Sequence, residues 1–266
     1  MTRAISAEFR KFFTTRLWWG MAIAVFLSGA LLALLFGLLY TSSALEGEQG
    51  VPTTDVALAR DVFTGGIGVG YLLTLAIGVM TIGSEYRHKT ITSTFLSTPK
   101  RVRVMGAKVI SLLVVGAMYG VISLVGAVGV GAIVLASRGH VPFADPQIWR
   151  SLALALLVLG LWALIGLGAG ILIPNQVAAL LISIGVAWIV EPILSGVLTI
   201  PDWGKNISPY LPSQATSAML GSDGGAFGGG GTAKMLSWWA GALVLAVYAA
   251  VMAGVGSLLT VRRDIS

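Results

Sequence analysis

The sequence predicts an all-α membrane protein. It has six transmembrane helices, an amphipathic interfacial helix ahead of the first, and an extracellular re-entrant segment between the fifth and sixth. Three observations carry this. Of 266 residues, 56% are apolar and only 11% charged, against about 25% charged in soluble domains. The mean hydropathy is +0.89. Six continuous apolar stretches, about 18–40, 62–82, 109–136, 151–173, 177–198 and 237–260, each reach the ~20 residues a helix needs to cross a ~30 Å hydrocarbon core. A transmembrane β-barrel would show alternating segments instead. The composition excludes a water-soluble enzyme and a disordered tail. With no cysteine, it also excludes a disulfide scaffold, thiol catalysis and thiolate metal sites.

Ahead of the first span, residues 3–17 place Ile5, Phe9, Phe12, Phe13 and Leu17 at helical spacing. Arg3, Glu8, Arg10, Lys11 and Thr14 mostly fill the other face, and Arg16 follows. Such a helix lies in the membrane interface with Phe9, Phe12 and Phe13 among the acyl chains and Arg10 and Arg16 among its cations. Trp18 and Trp19 then sit at headgroup depth. The helix reads either as a topology anchor or as a sliding element that transmits movement from a cytoplasmic partner. The first apolar stretch is longer than the core of a signal peptide, so it is expected to remain as a span.

Orientation follows from the cations. Placing both termini in the cytoplasm puts 12 of the 17 Lys and Arg residues there, six of them between spans two and three. The chain is thus expected in the cytoplasmic (plasma) membrane. This asymmetry, together with anionic lipid, explains the net charge of +6 and the pI near 9.8, so no nucleic acid is implied as a partner. The longest non-spanning segment, 199–236, has 38 residues. The chain therefore reads as a single transmembrane domain, and a soluble catalytic unit would have to be another chain.

The segment 83–108 between spans two and three is the most informative. It begins Gly83-Ser84-Glu85-Tyr86-Arg87-His88-Lys89-Thr90, places Ile91, Phe95 and Leu96 on one helical face, and is stopped by Pro99 ahead of Lys100, Arg101 and Arg103. An apolar face bracketed by charges just below the membrane is what docking of a soluble partner requires. The plain alternative is an interfacial helix lying against lipid.

The order of acidic residue, aromatic, Arg, Thr, apolar stretch, Pro and Arg resembles the intracellular coupling segment of ATP-binding-cassette (ABC) transporter permeases of the type 2 exporter class. The turn Pro174-Asn175-Gln176-Val177-Ala178-Ala179 looks like the Arg-Asn-Gln-Ala-Ala turn of actinobacterial members. Glu191-Pro192, Tyr210-Leu211-Pro212 and the six-span layout with its N-terminal helix are similar too. Lys89 stands where members commonly have Gly, and Pro174 where they commonly have Arg. The resemblance implies ATPase-coupling roles for Glu85, Tyr86, Arg87, Thr90, Ile91, Phe95, Leu96, Pro99 and Arg101. It also implies two copies of a partner ATP-binding subunit holding ATP and Mg, a second permease chain, same or related, and extracellular re-entrant helices.

Glu191 is the one ionisable residue within the six apolar stretches, and an acid at membrane depth is a functional hypothesis. Pro192 beside it removes a helical hydrogen bond and frees the Trp188 carbonyl, predicting a kink. Either Glu191 is a polar point in a transport path, or its carboxyl satisfies backbone amides near the kink. The loop 199–236 ends in a glycine run, Gly221 to Gly231, with no Gly-Lys-Ser/Thr after it, so no phosphate-cradling loop is expected. Tyr210–Leu220 is apolar enough to dip back into the membrane if protein shields it. His88 and His140 fall on opposite sides and cannot share a metal. Glycines four apart (Gly66 and Gly70, Gly116 and Gly120, Gly166 and Gly170) favour close helix packing.

The expectation is a permease subunit of an ATP-driven ABC exporter, moving a small hydrophobic or amphiphilic substrate (drug, antibiotic, peptide or lipid-like compound) by alternating access. The chain itself carries no catalytic constellation and no cofactor. The alternatives are an ion-gradient-driven secondary transporter and a non-transporting assembly or immunity subunit.

Overall fold

In the computed structural model of the chain, residues 2–42, 52–88, 90, 101–143, 145–222 and 235–262 are described, with backbone alone at 101 and 257–262. Among the described residues every element is helical. In order they are α1 (Thr2–Thr14), α2 (Leu17–Tyr40), α3 (Asp55–Thr64), α4 (Ile67–Arg87), α5 (Arg101–Ser137), α6 (Pro146–Leu172) and α7 (Gln176–Gly185). A π-helical turn (Val186–Val190) leads into α8 (Glu191–Leu198), followed by α9 (Asp202–Ile207), a 3-10 turn (Ser208–Tyr210), α10 (Pro212–Leu220) and α11 (Trp238–Arg262).

Six helical stretches are long and apolar enough to cross a membrane: Leu17–Tyr40, Asp55–Arg87, Val102–Ser137, Pro146–Leu172, Gln176–Leu198 and Trp238–Gly256. This is the architecture of a multi-pass membrane protein. Two of them outrun the apolar stretches. The second starts at Asp55 and ends at Arg87, and the third belongs to a helix that begins at Arg101. Asp61, Glu85 and Lys108 lie in these extensions. Charges lower a hydropathy average, yet all three are buried. Helix α5, with 37 residues, is about 55 Å long at 1.5 Å per residue.

The spans Asp55–Arg87 and Pro146–Leu172, which contain α4 and α6, form the centre: 72% and 78% of their 18-residue apolar windows are buried, against 17% for Gln176–Leu198. Among the described residues the contact of α4 with α6 is the most extensive, followed by that of α2 with α5. Between helices in lipid there is little hydrophobic drive, so close backbone approach and van der Waals packing decide the contacts. At the α4–α6 crossing a Cβ on Gly78 would collide with the Ala163 carbonyl, and one on Gly166 with the Leu75 carbonyl. Gly116 of α5 lies likewise on the backbone of Gly160 in α6. Tyr71 stacks on the buried Trp162 in the same centre, ring centroids 4.4 Å apart. The outward side chains, such as Leu31, Ile133 and Leu181, are exposed and apolar, as a lipid-facing surface requires.

Short polar residues set several helix starts. Thr54 caps α3 and Asp145 caps α6, where Pro146 takes the first helical position. In the turn at 174–179, the Asn175 side chain accepts the Val177 and Ala178 amides at 3.0 and 3.2 Å. That turn is an N-cap for α7.

Candidate functional site

Among the described residues the densest electrostatic feature joins three helices at the end of the bundle where α1 docks. Lys108, on the first turns of α5, is 1% exposed. Its ammonium donates to Glu8 Oε2 of α1 at 2.8 Å and to Glu85 Oε1 of α4 at 2.5 Å. Lys11, also on α1, donates to Glu8 Oε1 at 2.8 Å and to the same Glu85 oxygen at 2.9 Å. Two acids and two lysines close a neutral ring in which Glu8, Glu85 and Lys108 are buried while Lys11 stays half in solvent.

Burial alone would raise the Glu8 carboxyl. The charge and hydrogen bond of Lys108, with those of Lys11, outweigh it and hold Glu8 below its usual 4.5. For Lys11 burial pulls down, but the hydrogen bond to Glu8 and the charges of Glu85 and Glu8 raise it above its usual 10.5. Glu85 Oε2 is buried with no hydrogen-bond partner, an uncommon state for a carboxylate oxygen.

Aromatic packing fixes α1 beside the ring. Phe12 is buried, with its ring edge-on to Phe13 and to Tyr119 at 5.5 and 6.1 Å. The Tyr119 hydroxyl donates to the Trp18 carbonyl at 2.8 Å. Below the ring, a cavity of about 490 Å³ runs between α1, the start of α2 and the last turns of α4. Phe12, Leu17 and Met80 form its apolar wall, and Thr15, Thr81, Ser84, His88, Thr90 and Gln176 line its polar side beside Glu8, Lys11 and Glu85 of the ring.

The residues singled out in the sequence are divided by this geometry. Glu85 is buried in the ring, Tyr86 packs partly against the core, and Arg87 and Thr90 are exposed. Ile91, Phe95, Leu96 and Pro99 lie outside the described residues. Arg101 opens α5, and its side chain is outside them as well. On α1, Phe9 is half-buried against the core, stacking on Phe13, while Arg10 and Arg16 are exposed. Two expectations need correction. Phe12 packs into the protein core rather than among acyl chains, and Glu8 is buried rather than on a solvated face. The reason is Lys108, whose ammonium donates to Glu8 as well as to Glu85 and so holds this face of α1 on the bundle. Glu8 lies three residues after Ile5 and four before Phe12, which places it in the apolar stripe of α1. Lys108 likewise falls among Val104, Met105, Leu112 and Val115, all buried. That spacing was the available signal.

Glu191 occupies a different setting, toward the opposite end. The π-helical turn Val186–Val190 precedes it, with the Glu191 amide donating to the Val186 carbonyl. The helix accommodates Pro192 through this wider turn, a common cause of local bending. The Glu191 carboxylate is buried and accepts the Ser213 backbone amide at 2.5 Å. Leu211, which precedes α10, has no side-chain group to cap it, so Glu191 supplies the cap from another helix, favoured by the α10 dipole. Trp162 donates to Thr216 at 3.0 Å and Ser151 to the Leu220 carbonyl at 2.8 Å. Helix α10 is thereby fastened to α6, reaching a tryptophan roughly 24 Å along it at 1.5 Å per residue.

The histidines stand at opposite ends. His88 Nδ1 lies 2.8 Å from the Ser84 carbonyl and His140 Nδ1 2.7 Å from Asp55 Oδ1. Among the described residues no group of three or more His, Asp or Glu side chains is placed to hold a metal ion. No protein-family model and no curated protein sequence matches the chain.

Proposed function

We propose that the chain is the transmembrane permease subunit of an ATP-driven ABC exporter of the type 2 class. It would work as a pair with a like or related permease and two ATP-binding subunits that hold ATP and Mg, moving a hydrophobic or amphiphilic substrate outward. The observation that carries this reading is the neutral ring of Glu8, Lys11, Glu85 and Lys108. It ties α1 and the head of α5 to the last turns of α4, from which the segment resembling an ABC coupling segment departs. A push on that segment would reach three helices at once. Only differential contact with a partner can bias such a movement.

In this arrangement the termini and the ring face the cytoplasm, α1 lies at the interface with its arginines toward water, and α9 to α10 form the extracellular re-entrant segment. The fastening of α10 along α6 supports that last placement, since re-entrant backbone needs protein around it. Substrate contacts fall to the apolar faces between the two permease chains.

A gradient-driven transporter is the second reading, favoured by the burial of Asp61, Glu85, Lys108 and Glu191 within long helices. Isolation from native membranes separates the two. The exporter reading expects an ATP-hydrolysing subunit to come down with the chain and transport in vesicles to need ATP. Transport that follows an imposed proton or sodium gradient without ATP would replace it with the second reading. An ATP-hydrolysing partner without vectorial transport would instead indicate an assembly or immunity subunit.

A further inference from the structure

The cavity below the charge ring offers a ligand little charge and a mixture of hydrogen-bonding groups. The four charges of the ring cancel. Both Glu8 oxygens accept from ammonium groups and Glu85 Oε1 accepts from both lysines, while Glu85 Oε2 is sealed off from the cavity. Thr15, Thr81 and Ser84 each spend the hydroxyl proton on a backbone carbonyl, at 2.8, 2.7 and 3.2 Å, and so present acceptors. Donors stand beside them. Lys11 keeps a third N–H beyond the two that its carboxylates use, and the Gln176 amide brings two N–H groups and a carbonyl. Thr90 and His88 add a hydroxyl and an imidazole. The Gln176 stem lies across Gly83, where an added Cβ would stand 2.8 Å from its Cγ, so the glycine admits this side chain beside the cavity. Among the described residues the Gln176 amide has no hydrogen-bond partner. The remaining side is apolar: Phe12, Leu17 and Met80.

A pocket of about 490 Å³ lies within the roughly 300–1,000 Å³ range of small-molecule sites. Acceptors and donors side by side suit a head that is both, which an alcohol hydroxyl is. A charged head would give up its hydration to a wall whose formal charges already balance, with no counter-charge in return. The apolar side suits an aliphatic chain. We infer that this cavity binds an uncharged polyol amphiphile of the monoacylglycerol kind, its hydroxyls among Thr81, Ser84 and Gln176 and its chain against Phe12, Leu17 and Met80. The occupant bridges α1 and α4 to the head of α7, a helix that the charge ring does not reach. The inference stands apart from the ATPase reading, because binding is a property of this chain alone.

The test uses the full chain in zwitterionic nanodiscs at neutral pH, with four probes that share one chain length. Monooctanoylglycerol has two hydroxyls and no charge, and methyl octanoate keeps the ester and chain without a donor. Octylammonium and octanoate carry opposite charges. Native mass spectrometry gives stoichiometry, and calorimetry gives affinity once uptake by empty nanodiscs is subtracted. Monooctanoylglycerol is expected to bind saturably, one per chain, at least about tenfold more tightly than methyl octanoate, the factor that one or two lost hydrogen bonds produce, and more tightly than either ion. Gln176→Met keeps the stem on Gly83 and removes the amide. It is expected to weaken monooctanoylglycerol roughly threefold to tenfold and to leave methyl octanoate unchanged. Met80→Trp is expected to abolish binding by filling the cavity. Neither substitution touches the charge ring. An ion that binds as tightly as monooctanoylglycerol, equal affinity for the two esters, or uptake that only tracks partition into the bilayer overturns the proposal. The probe comparison on the unaltered chain decides it even where a variant fails to fold. Failure here leaves the permease reading intact, and an absent ATPase partner leaves this site intact.

Discussion

The two ends of this molecule each bury carboxylates, and they neutralise them by different means. Where α1 docks, Glu8 and Glu85 are met by the ammonium groups of Lys108 and Lys11, side chains from three helices. Toward the other end, Glu191 is met by a backbone amide at the start of α10. A charge ring depends on its buried members, because losing one of them leaves buried charge uncompensated. An amide cap is local and asks only for an acceptor oxygen. The first arrangement suits a joint whose elements must move together; the second suits a clamp that holds one loop in place.

The largest expected effect follows from that difference. Lys108→Ala leaves two buried acids with only the half-exposed Lys11 between them and is expected to cost about 3–5 kcal/mol of stability, read as a lowered unfolding midpoint and as faster hydrogen exchange in α1. The triple change Glu8→Gln, Glu85→Gln and Lys108→Met, which removes charge from both sides, is expected to recover most of that loss. No recovery would show that shape, rather than charge pairing, holds the joint. Glu191→Ala is expected to cost about 1–3 kcal/mol by orphaning the Ser213 amide, with increased proteolysis of the 199–236 loop. Glu191→Gln keeps an acceptor and is expected to lose little. An equal loss for both would mean that the negative charge itself is needed. Lys11→Ala, at the half-exposed corner of the ring, is expected to cost no more than about 1 kcal/mol.

Proton linkage sharpens the comparison further. Glu8 is held below 4.5, so its contribution is complete above that pH and is lost as pH falls through the lowered value. Lys11 is raised above 10.5, so its contribution is complete below that pH and is lost as pH rises through the raised value. Exchange protection of α1 is therefore expected to stay flat from about pH 5 to 10 and to fail at the extremes. A step near neutrality would contradict the ring.

The six spans were legible because a membrane demands long apolar runs whatever the tertiary packing. The turn at Asn175 was legible as a motif. The extensions of the second and third spans were not, since Asp61, Glu85 and Lys108 lower hydropathy and their burial depends on partners distant in the chain. Glu8 and Lys108 are 100 positions apart, and neither looks unusual alone. The same holds for Glu191, whose partner is a backbone amide that no side-chain pattern reports. Glycines four apart marked close packing, while the partners of Gly66, Gly116 and Gly166, on Gly29, Gly160 and Leu75, emerged only from the fold.

The chain has no cysteine, which permits a direct test of whether the charge ring makes α1 and α5 move as one body. Spin labels on cysteines introduced at Ser6 and Val102, both exposed, would report the α1–α5 distance in the complex with an ATP-binding subunit that the proposed function calls for, without nucleotide and with ATP added. The account expects one narrow distance in both states, and a broadened, nucleotide-dependent one when Lys108→Ala is added. A distance that shifts with ATP in the unaltered ring, or one indifferent to the loss of Lys108, would contradict it.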